Sequence, residues 1–336
     1  MNIPKTIFII PYRDRSEQKE LFEKRMKEYL VDLNKDESTS IDPYLFVYAH
    51  QYDNRPFNRG AMKNIGFLTM KKRFANDYKD ITFVFHDIDT FPAKNGILPY
   101  KTQHGVVTHY YGFTFALGGI FAIKGCDFEK SNGFPNFWGW GLEDNAMYDR
   151  CVSSGLNINR SIFYDITSTM IERPFDGPTK LVSKRDAVVY KHETPDGLND
   201  IKNLKYDLVD FLDIRNKTNN LNIFMANIKA FDCVMNPDEQ DFYIYDINLN
   251  KGKIKIPRGY SRRSWSLNNL FTFQKKSMIS TIPTISNNIN NDNINNVINI
   301  EEDHTTNVNR TNNANNANNI KSIKNSRNAQ FMMRII

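Results

Sequence analysis

Apolar positions in the first ninety residues follow two periods in turn. "TIFIIPYRDR" (6–15) begins with a continuous apolar run, the mark of a strand buried on both faces, and ends in a polar turn. In "SEQKELFEKRMKEYLVDL" (16–33), Leu21, Phe22, Met26, Tyr29, Leu30 and Leu33 recur at helical spacing, with Ser16 placed to cap the helix. "YLFVYAH" (44–50) predicts a second strand, "RGAMKNIGFLTMKKRFA" (59–75) a second amphipathic helix and "ITFVFHDID" (81–89) a third strand. This β-α-β-α-β alternation predicts a three-layer α/β domain with a mainly parallel sheet. Ligands of such sheets sit beyond the carboxyl ends of the strands. Arg13 and Arg15 fall at that end of the first strand, Asp87 and Asp89 at that end of the third.

The pattern fades after residue 213. "FDCVMNPDEQDFYIYDINLNKGKIKI" (231–256) predicts two or three further strands in an added ribbon. Residues 287–319 hold 16 asparagines in 33 positions with few apolar anchors, which predicts disorder. That bias suits an AT-rich genome, such as that of a large DNA virus or a protist. The expected organisation is the α/β domain over 1–213, an extension of unknown fold over 214–283 and an Asn-rich tail over 284–336.

Composition changes the picture in three ways. The net charge of +6 belongs to the tail: residues 251–336 carry 13 Lys/Arg and 4 Asp/Glu, and the first 250 residues are slightly acidic. The body is therefore not a basic platform for nucleic acid, and basic residues such as Lys251, Lys253, Lys255, Arg258, Arg262 and Arg263 read as a solvated linker. No apolar run reaches the roughly 18 residues of a membrane span, and the N-terminal run IFII is too short for a signal peptide. With three cysteines at no metal-like spacing, these features predict a cytoplasmic protein with reduced thiols, in a host cytoplasm or virion if viral.

Two stretches carry candidate chemistry. In "FVFHDIDTFP" (83–92), Asp87 and Asp89 stand one residue apart at a strand end, where they form either a polar turn or the ligands of a divalent cation. In "ALGGIFAIKGCDFEKSNGFPNFWGWGLEDNAMYDR" (116–150), Gly118 and Gly119 allow close backbone approach. There Trp138 and Trp140 precede the acid pair Glu143 and Asp144. That combination suits a sugar site, in which rings stack on pyranoses and carboxylates accept hydroxyl protons. The bland alternative is a core tryptophan pair ahead of acids favoured by a helix dipole.

Four ordered blocks, "IIPYRDR", "FNRGAMKNIGF" (57–67), "FVFHDID" and "NGFPNFWGWGLEDNAMYDR" (132–150), resemble the β-1,4-galactosyltransferase family of GT-A fold nucleotide-sugar transferases. A fifth, "DGLNDIKNLKYDLVD" (196–210), resembles the family's C-terminal strand block, so the likeness covers about residues 5–213. The resemblance implies a metal-dependent, inverting transfer of a hexose or N-acetylhexosamine from a UDP-sugar to a hydroxyl of a glycan or glycoconjugate. It implies that Pro11, Arg13, Arg15, Phe57, Arg59, Asp87, Ala116, Gly118, Gly119 and Trp140 hold the donor. Asp87 and Asp89 would bind Mn²⁺ or Mg²⁺, Asp144 would be the catalytic base and Glu143 would orient the acceptor.

The departures from the family pattern are equally specific. The column that usually holds a metal-binding histidine falls on Arg173, which leaves Glu172, His192 or no residue as third ligand, with His192 preferred. Ala116 stands where galactose-specific members carry tyrosine, which implies room for a 2-acetamido donor. Leu142 and Asn145 replace the usual Gly and Asp beside the acceptor. Rival readings are a metal-dependent phosphodiester or phosphoryl hydrolase, a sugar-binding module with a dead site, and an enzyme like the polypeptide N-acetylgalactosaminyltransferases.

Overall fold

In a computed structural model of the chain, the described residues are 3–34, 44–173, 179–183, 196–210, 222–246 and 254–255. The chain begins with the expected alternation: β1 (Thr6–Tyr12), α1 (Ser16–Asn34), β2 (Tyr44–Gln51), α2 (Arg59–Arg73) and β3 (Thr82–His86). A short β4 (Phe91–Pro92) follows, then β5 (Val106–Gly112), β6 (Ile120–Lys124), α3 (Gly125–Lys130) and α4 (Glu143–Ser153). The later strands are β7 (Asn157–Asn159), β8 (Tyr164–Asp165), β9 (Ile171–Glu172), β10 (Thr179–Ser183), β11 (Lys202–Asp210), β12 (Asn222–Asp232), β13 (Phe242–Asp246) and β14 (Ile254–Lys255).

The main sheet runs β11-β12-β2-β1-β3-β6-β5-β7, with β8 also on β5. β1 is parallel to β2 and β3, and β12 is parallel to β2; β6 is antiparallel to β3 and β5. Successive residues of β1 face opposite sides of the sheet, as a pleated strand requires. Phe8 and Ile10 pack with Phe22, Met26, Tyr29 and Leu30 of α1. Ile7 and Ile9 pack in the other layer with Phe67 and Met70 of α2, and that layer extends to Met147 and Cys151 of α4. The sheet is thus the middle of three layers, the α/β architecture of the GT-A fold, mostly parallel as expected.

Three expectations need correction. Leu21 is exposed rather than on the buried face of α1. Ser16 is the first helical residue and not the cap, because the Lys19 amide donates to the Arg15 carbonyl. The boundary expected at residue 213 falls between β11 and β12, which pair with each other, and β12 lies inside the main sheet beside β2. The ribbon expected after 231 is partly present as the sheet β10-β13-β14. The Asn-rich tail lies outside the described residues.

The 132–140 loop, rich in Gly, Pro and Trp, is held by side-chain amides. Asn58 caps α2, accepting from the Ala61 amide at 2.8 Å, and donates to the Asn136 carbonyl at 2.9 Å. Asn64 donates to the Phe134 carbonyl at 2.7 Å and accepts from the Phe134 amide at 2.9 Å. Gly60, in the first turn of α2, permits this contact: a Cβ there would stand 2.0 Å from the Pro135 carbonyl oxygen, a backbone atom that cannot rotate away. Gly60→Ala should destabilise the fold by about 1–3 kcal/mol, read as a lower urea midpoint at unchanged m-value. An unaltered midpoint would show that the loop yields freely.

Candidate active site

The site is assembled at the carboxyl ends of β1 and β3. Asp87 is the first residue beyond β3, and its amide donates to the Gly119 carbonyl at 3.2 Å. Asp89 lies two residues further on and takes a 2.9 Å contact from Arg15, which stands just past β1. From the opposite side, the first turn of α2 delivers Arg59. Its guanidinium reaches Asp87 Oδ2 at 3.3 Å and Glu143 Oε1 at 3.7 Å. One turn along, Lys63 places its ammonium 3.3 Å from Asp144 Oδ1. Arg59 and Lys63 are four residues apart and share a helix face, so one helix binds both carboxylate groups together.

Glu143 and Asp144 open α4, where the helix dipole favours acids. The residue before them, Leu142, is left-handed at φ 69°. A Cβ at Gly118 would meet Asp144 Oδ2 at 2.3 Å, so the glycine lets the 116–119 loop lie close against the carboxylate. The Asp144 carbonyl accepts from the Leu117 amide at 2.9 Å, which ties α4 to the 116–119 loop.

The electrostatics split the acids. Burial pushes the Asp87 carboxyl up, but the fields of Arg59, Lys63, His86 and Arg15 outweigh it and hold the group below its ordinary value. Glu143 is only 3% exposed. Burial and then the neighbouring Asp144 push it up to about 7, against the opposing pull of Arg59 and Lys63. For Arg59, burial lowers the pKa, and the surrounding carboxylates, Asp87 first, more than reverse that.

The structure brings together Arg15, Asp87, Asp89, Arg59, Gly118, Glu143 and Asp144, which are far apart in sequence. Pro11 is buried in β1 opposite Ala49. Arg13 is buried and donates to the Asp53 carbonyl at 3.1 Å. Ala116 is buried in the loop before Gly118. Phe57 is half-buried, and its carbonyl accepts from the Gly139 amide at 2.9 Å. Trp140 is half-buried, and its amide donates to the Leu181 carbonyl at 2.7 Å.

Trp138 is not available to a sugar. It is fully buried, stacked on Phe231 at 5.5 Å, covered by Arg55, and its indole N–H donates to the Met235 carbonyl. Lys63 is a site residue that the sequence motifs do not single out. The signal for it is a lysine four residues after Arg59 among small and apolar neighbours, and it is 1% exposed.

Two carboxylates at a strand tip fit a divalent cation on one further observation. Asp87 Oδ1 is buried and has no hydrogen-bond partner among the described residues, an orphaned acceptor that a cation would satisfy. The third ligand is narrower than expected. Glu172 is engaged by Arg25 at 2.6 Å in β9, so it is not placed as a ligand. Arg173 is exposed and acts on Tyr111, a phenol raised by burial and also within the fields of Asp87 and Asp89. His192 lies outside the described residues.

Comparison with known proteins agrees with this geometry. Two family models match, "N-terminal region of glycosyl transferase group 7" over residues 2–101 and "N-terminal domain of galactosyltransferase" over residues 103–172, together just over half of the chain. A xylosylprotein 4-β-galactosyltransferase of Caenorhabditis elegans is 31% identical over 199 residues, covering 56% of this chain and 63% of that protein. Human β-1,4-galactosyltransferase 1 is 30% identical over 218 residues, covering 61% of this chain and 51% of its own. The crystal structure of the catalytic domain of Drosophila β-1,4-galactosyltransferase 7 superposes with a TM-score of 0.53 at 23% identity, over 69% of this chain and 95% of that one. The chain belongs to the family 7 galactosyltransferases of the GT-A fold.

The expectation of a cytoplasmic protein is overturned by the same relatives. They are Golgi type II membrane enzymes. This chain spans between about half and two thirds of the length of the curated relatives it matches, so its first residue says nothing of an anchor. No helix among the described residues is long and apolar enough to cross a membrane.

The raised Glu143 carboxyl has a measurable consequence. The folded chain keeps this proton to higher pH than the unfolded chain, so the group's contribution to stability falls as pH rises from 4.5 to about 7. Glu143→Gln should remove that slope, so that wild type loses about 1–3 kcal/mol relative to the variant across the window. Paired urea titrations at several pH values read this, and parallel profiles would contradict the burial argument.

Proposed function

We propose that this member of the family is a metal-dependent, inverting glycosyltransferase. It moves a hexose or N-acetylhexosamine from a UDP-sugar to a hydroxyl of a glycan or glycoconjugate. The observation that carries the reading is the convergence of Asp87, Glu143 and Asp144 on one helix face through Arg59 and Lys63, with Asp89 beside them on Arg15.

Each residue has a role that its chemistry suits. Arg13, Arg15 and Arg59 bind the diphosphate, because a guanidinium pairs with phosphate oxygens in bidentate fashion. Phe57 offers its ring to the uracil, and Pro11 shapes the floor beneath it. A divalent cation held by Asp87 and Asp89 would supply Lewis-acid stabilisation of the charge that develops on UDP. Manganese is the favoured ion, since a variant of the Drosophila neighbour was solved with manganese, UDP-galactose and xylobiose. His192 is the proposed third ligand.

Asp144 takes the proton of the acceptor hydroxyl as the new C–O bond forms. The acceptor therefore never exists as a free alkoxide. Attack from the side opposite the departing UDP inverts the anomeric carbon. The other Asp144 oxygen packs on Gly118, which fixes the carboxylate's rotation. Glu143, its carboxyl pushed up to about 7, is part protonated at neutral pH, and its protonated form donates a hydrogen bond toward the sugar while Trp140 stacks on it. Gly118 and Gly119 let the donor approach the backbone.

Asp144→Asn should lower transfer by about 10²–10⁴-fold while leaving UDP-sugar affinity in the presence of Mn²⁺ unchanged, read by UDP release and calorimetry. Equal loss of donor affinity would refute its role as the base, and UDP release without any acceptor would favour a hydrolase.

The donor is read from Ala116. Its small side chain leaves space for an acetyl group at C2, so UDP-GalNAc or UDP-GlcNAc should be used at least as well as UDP-galactose. Ala116→Tyr should shift preference toward UDP-galactose by about tenfold or more. A panel of the three donors against β-xyloside and N-acetylglucosaminide acceptors tests this, and strong wild-type preference for UDP-galactose would refute it.

A further inference from the structure

A second group of ligating side chains lies at the other pole of the sheet. β3 and β5 begin there and β6 ends there, whereas Asp87 follows the far end of β3. Seven residues of extended chain separate Asp80 from Asp87, roughly 20 Å at about 3.3 Å per residue. His104 approaches β5, Cys126 and Asp127 open α3, and Asp80 lies in the turn ahead of β3.

His104 Nδ1 is 3.2 Å from Cys126 Sγ. One ligand atom from each of His104, Cys126 and Asp127 lies within 4.8 Å of the others. A tetrahedral zinc with bonds of about 2.0–2.3 Å sets its nitrogen and sulfur ligands about 3.5 Å apart, so His104 and Cys126 need little movement to share one. The outer contacts also fit. His104 Nε2 meets Asp80 Oδ1 at 2.9 Å, the carboxylate–histidine arrangement that turns the Nδ1 lone pair toward a metal. The Gly105 amide donates to Asp127 Oδ2 at 2.7 Å, which joins the histidine's loop to the third ligand.

We propose that His104, Cys126 and Asp127 form a site for a borderline-soft divalent cation of the zinc class, oriented by Asp80 and completed by water. Thiolate and imidazole select such an ion over Mg²⁺. On binding, the Cys126 thiol releases its proton to solvent and a metal–thiolate bond forms, with no change of oxidation state. The ion would pin the start of α3 to the loop entering β5. It is independent of the cation proposed at Asp87 and Asp89.

The test uses the full chain with ZnCl₂ or MgCl₂, iodoacetamide, and mass spectrometry that resolves each cysteine. Zn²⁺ should slow alkylation of Cys126 by about tenfold or more and leave Cys233 unaffected, and Mg²⁺ should give no protection. Protection should persist in the Asp87→Asn, Asp89→Asn double variant and vanish in His104→Ala. Asp80→Asn should weaken Zn²⁺ affinity by about 10–100-fold in a competition assay with a chromophoric chelator. Unchanged alkylation with Zn²⁺, retained protection in His104→Ala, or equal protection by Mg²⁺ would each overturn the proposal.

Discussion

The Arg59 guanidinium is the contact on which the site's geometry depends. It stands between Asp87, delivered by the end of β3, and Glu143, delivered by the start of α4. Without it, the two segments would each present a buried carboxylate to the other with no cation in contact with both. Buried ion pairs add little net stability against an apolar alternative, but removing one partner is costly because a charge is left uncompensated. The role of Arg59 is therefore to fix relative position more than to hold the fold together. That explains why it sits at the first turn of α2, whose direction is set by the sheet and whose start is capped by Asn58.

The cluster holds four carboxylates, Asp87, Asp89, Glu143 and Asp144, against the cations of Arg15, Arg59 and Lys63. Such a balance favours exchange of partners. A diphosphate that draws Arg15 and Arg59 toward itself leaves Asp87 and Asp89 short of positive charge, and a divalent cation restores it. Donor and cation should thus enter as a pair, each improving the field for the other. Asp144 stands apart from this exchange because its partner Lys63 is buried in α2. The Asp144–Lys63 contact therefore need not change while the side of the cluster proposed for the diphosphate rearranges.

Much of this is legible in the amino-acid sequence alone. The periods of β1, α1, β2, α2 and β3 are local, and each element appears with its bounds shifted by a few residues. Asp87 and Asp89 are legible because a strand end is itself a local signal. β12 is not, since its place beside β2 comes from a pairing across some 175 residues, which no local period encodes. Trp138 and Trp140 read alike in composition. They differ only because Phe231 and Met235, from much further along the chain, close over Trp138. Glu172 looks free to ligate in the sequence because its partner Arg25 lies on α1, 147 residues away. These three readings share one cause: each depends on what a distant segment brings to the residue.

The acid pair is held in place at some local expense. Leu142 adopts a left-handed conformation that costs a residue with a side chain about 1–2 kcal/mol, and it caps α4 without a side-chain hydrogen bond. Directly after it, Glu143 is driven into a buried position that opposes its ionisation. Both penalties fall at the point where the proposed chemistry needs a sharp turn from loop to helix, with two carboxylates aimed at the strand ends. The surroundings offset them through contacts that are numerous and individually ordinary. Arg150 in α4 bridges to Asp196 at 2.7 Å and to the Gly133 carbonyl at 2.9 Å, and Asp196 accepts from the Asn136 amide at 2.8 Å. Helix α4, the 132–140 loop and the segment at 196 therefore form one braced unit. Strain at Leu142 is stable because that brace, and not the residue's own preference, decides where the helix begins.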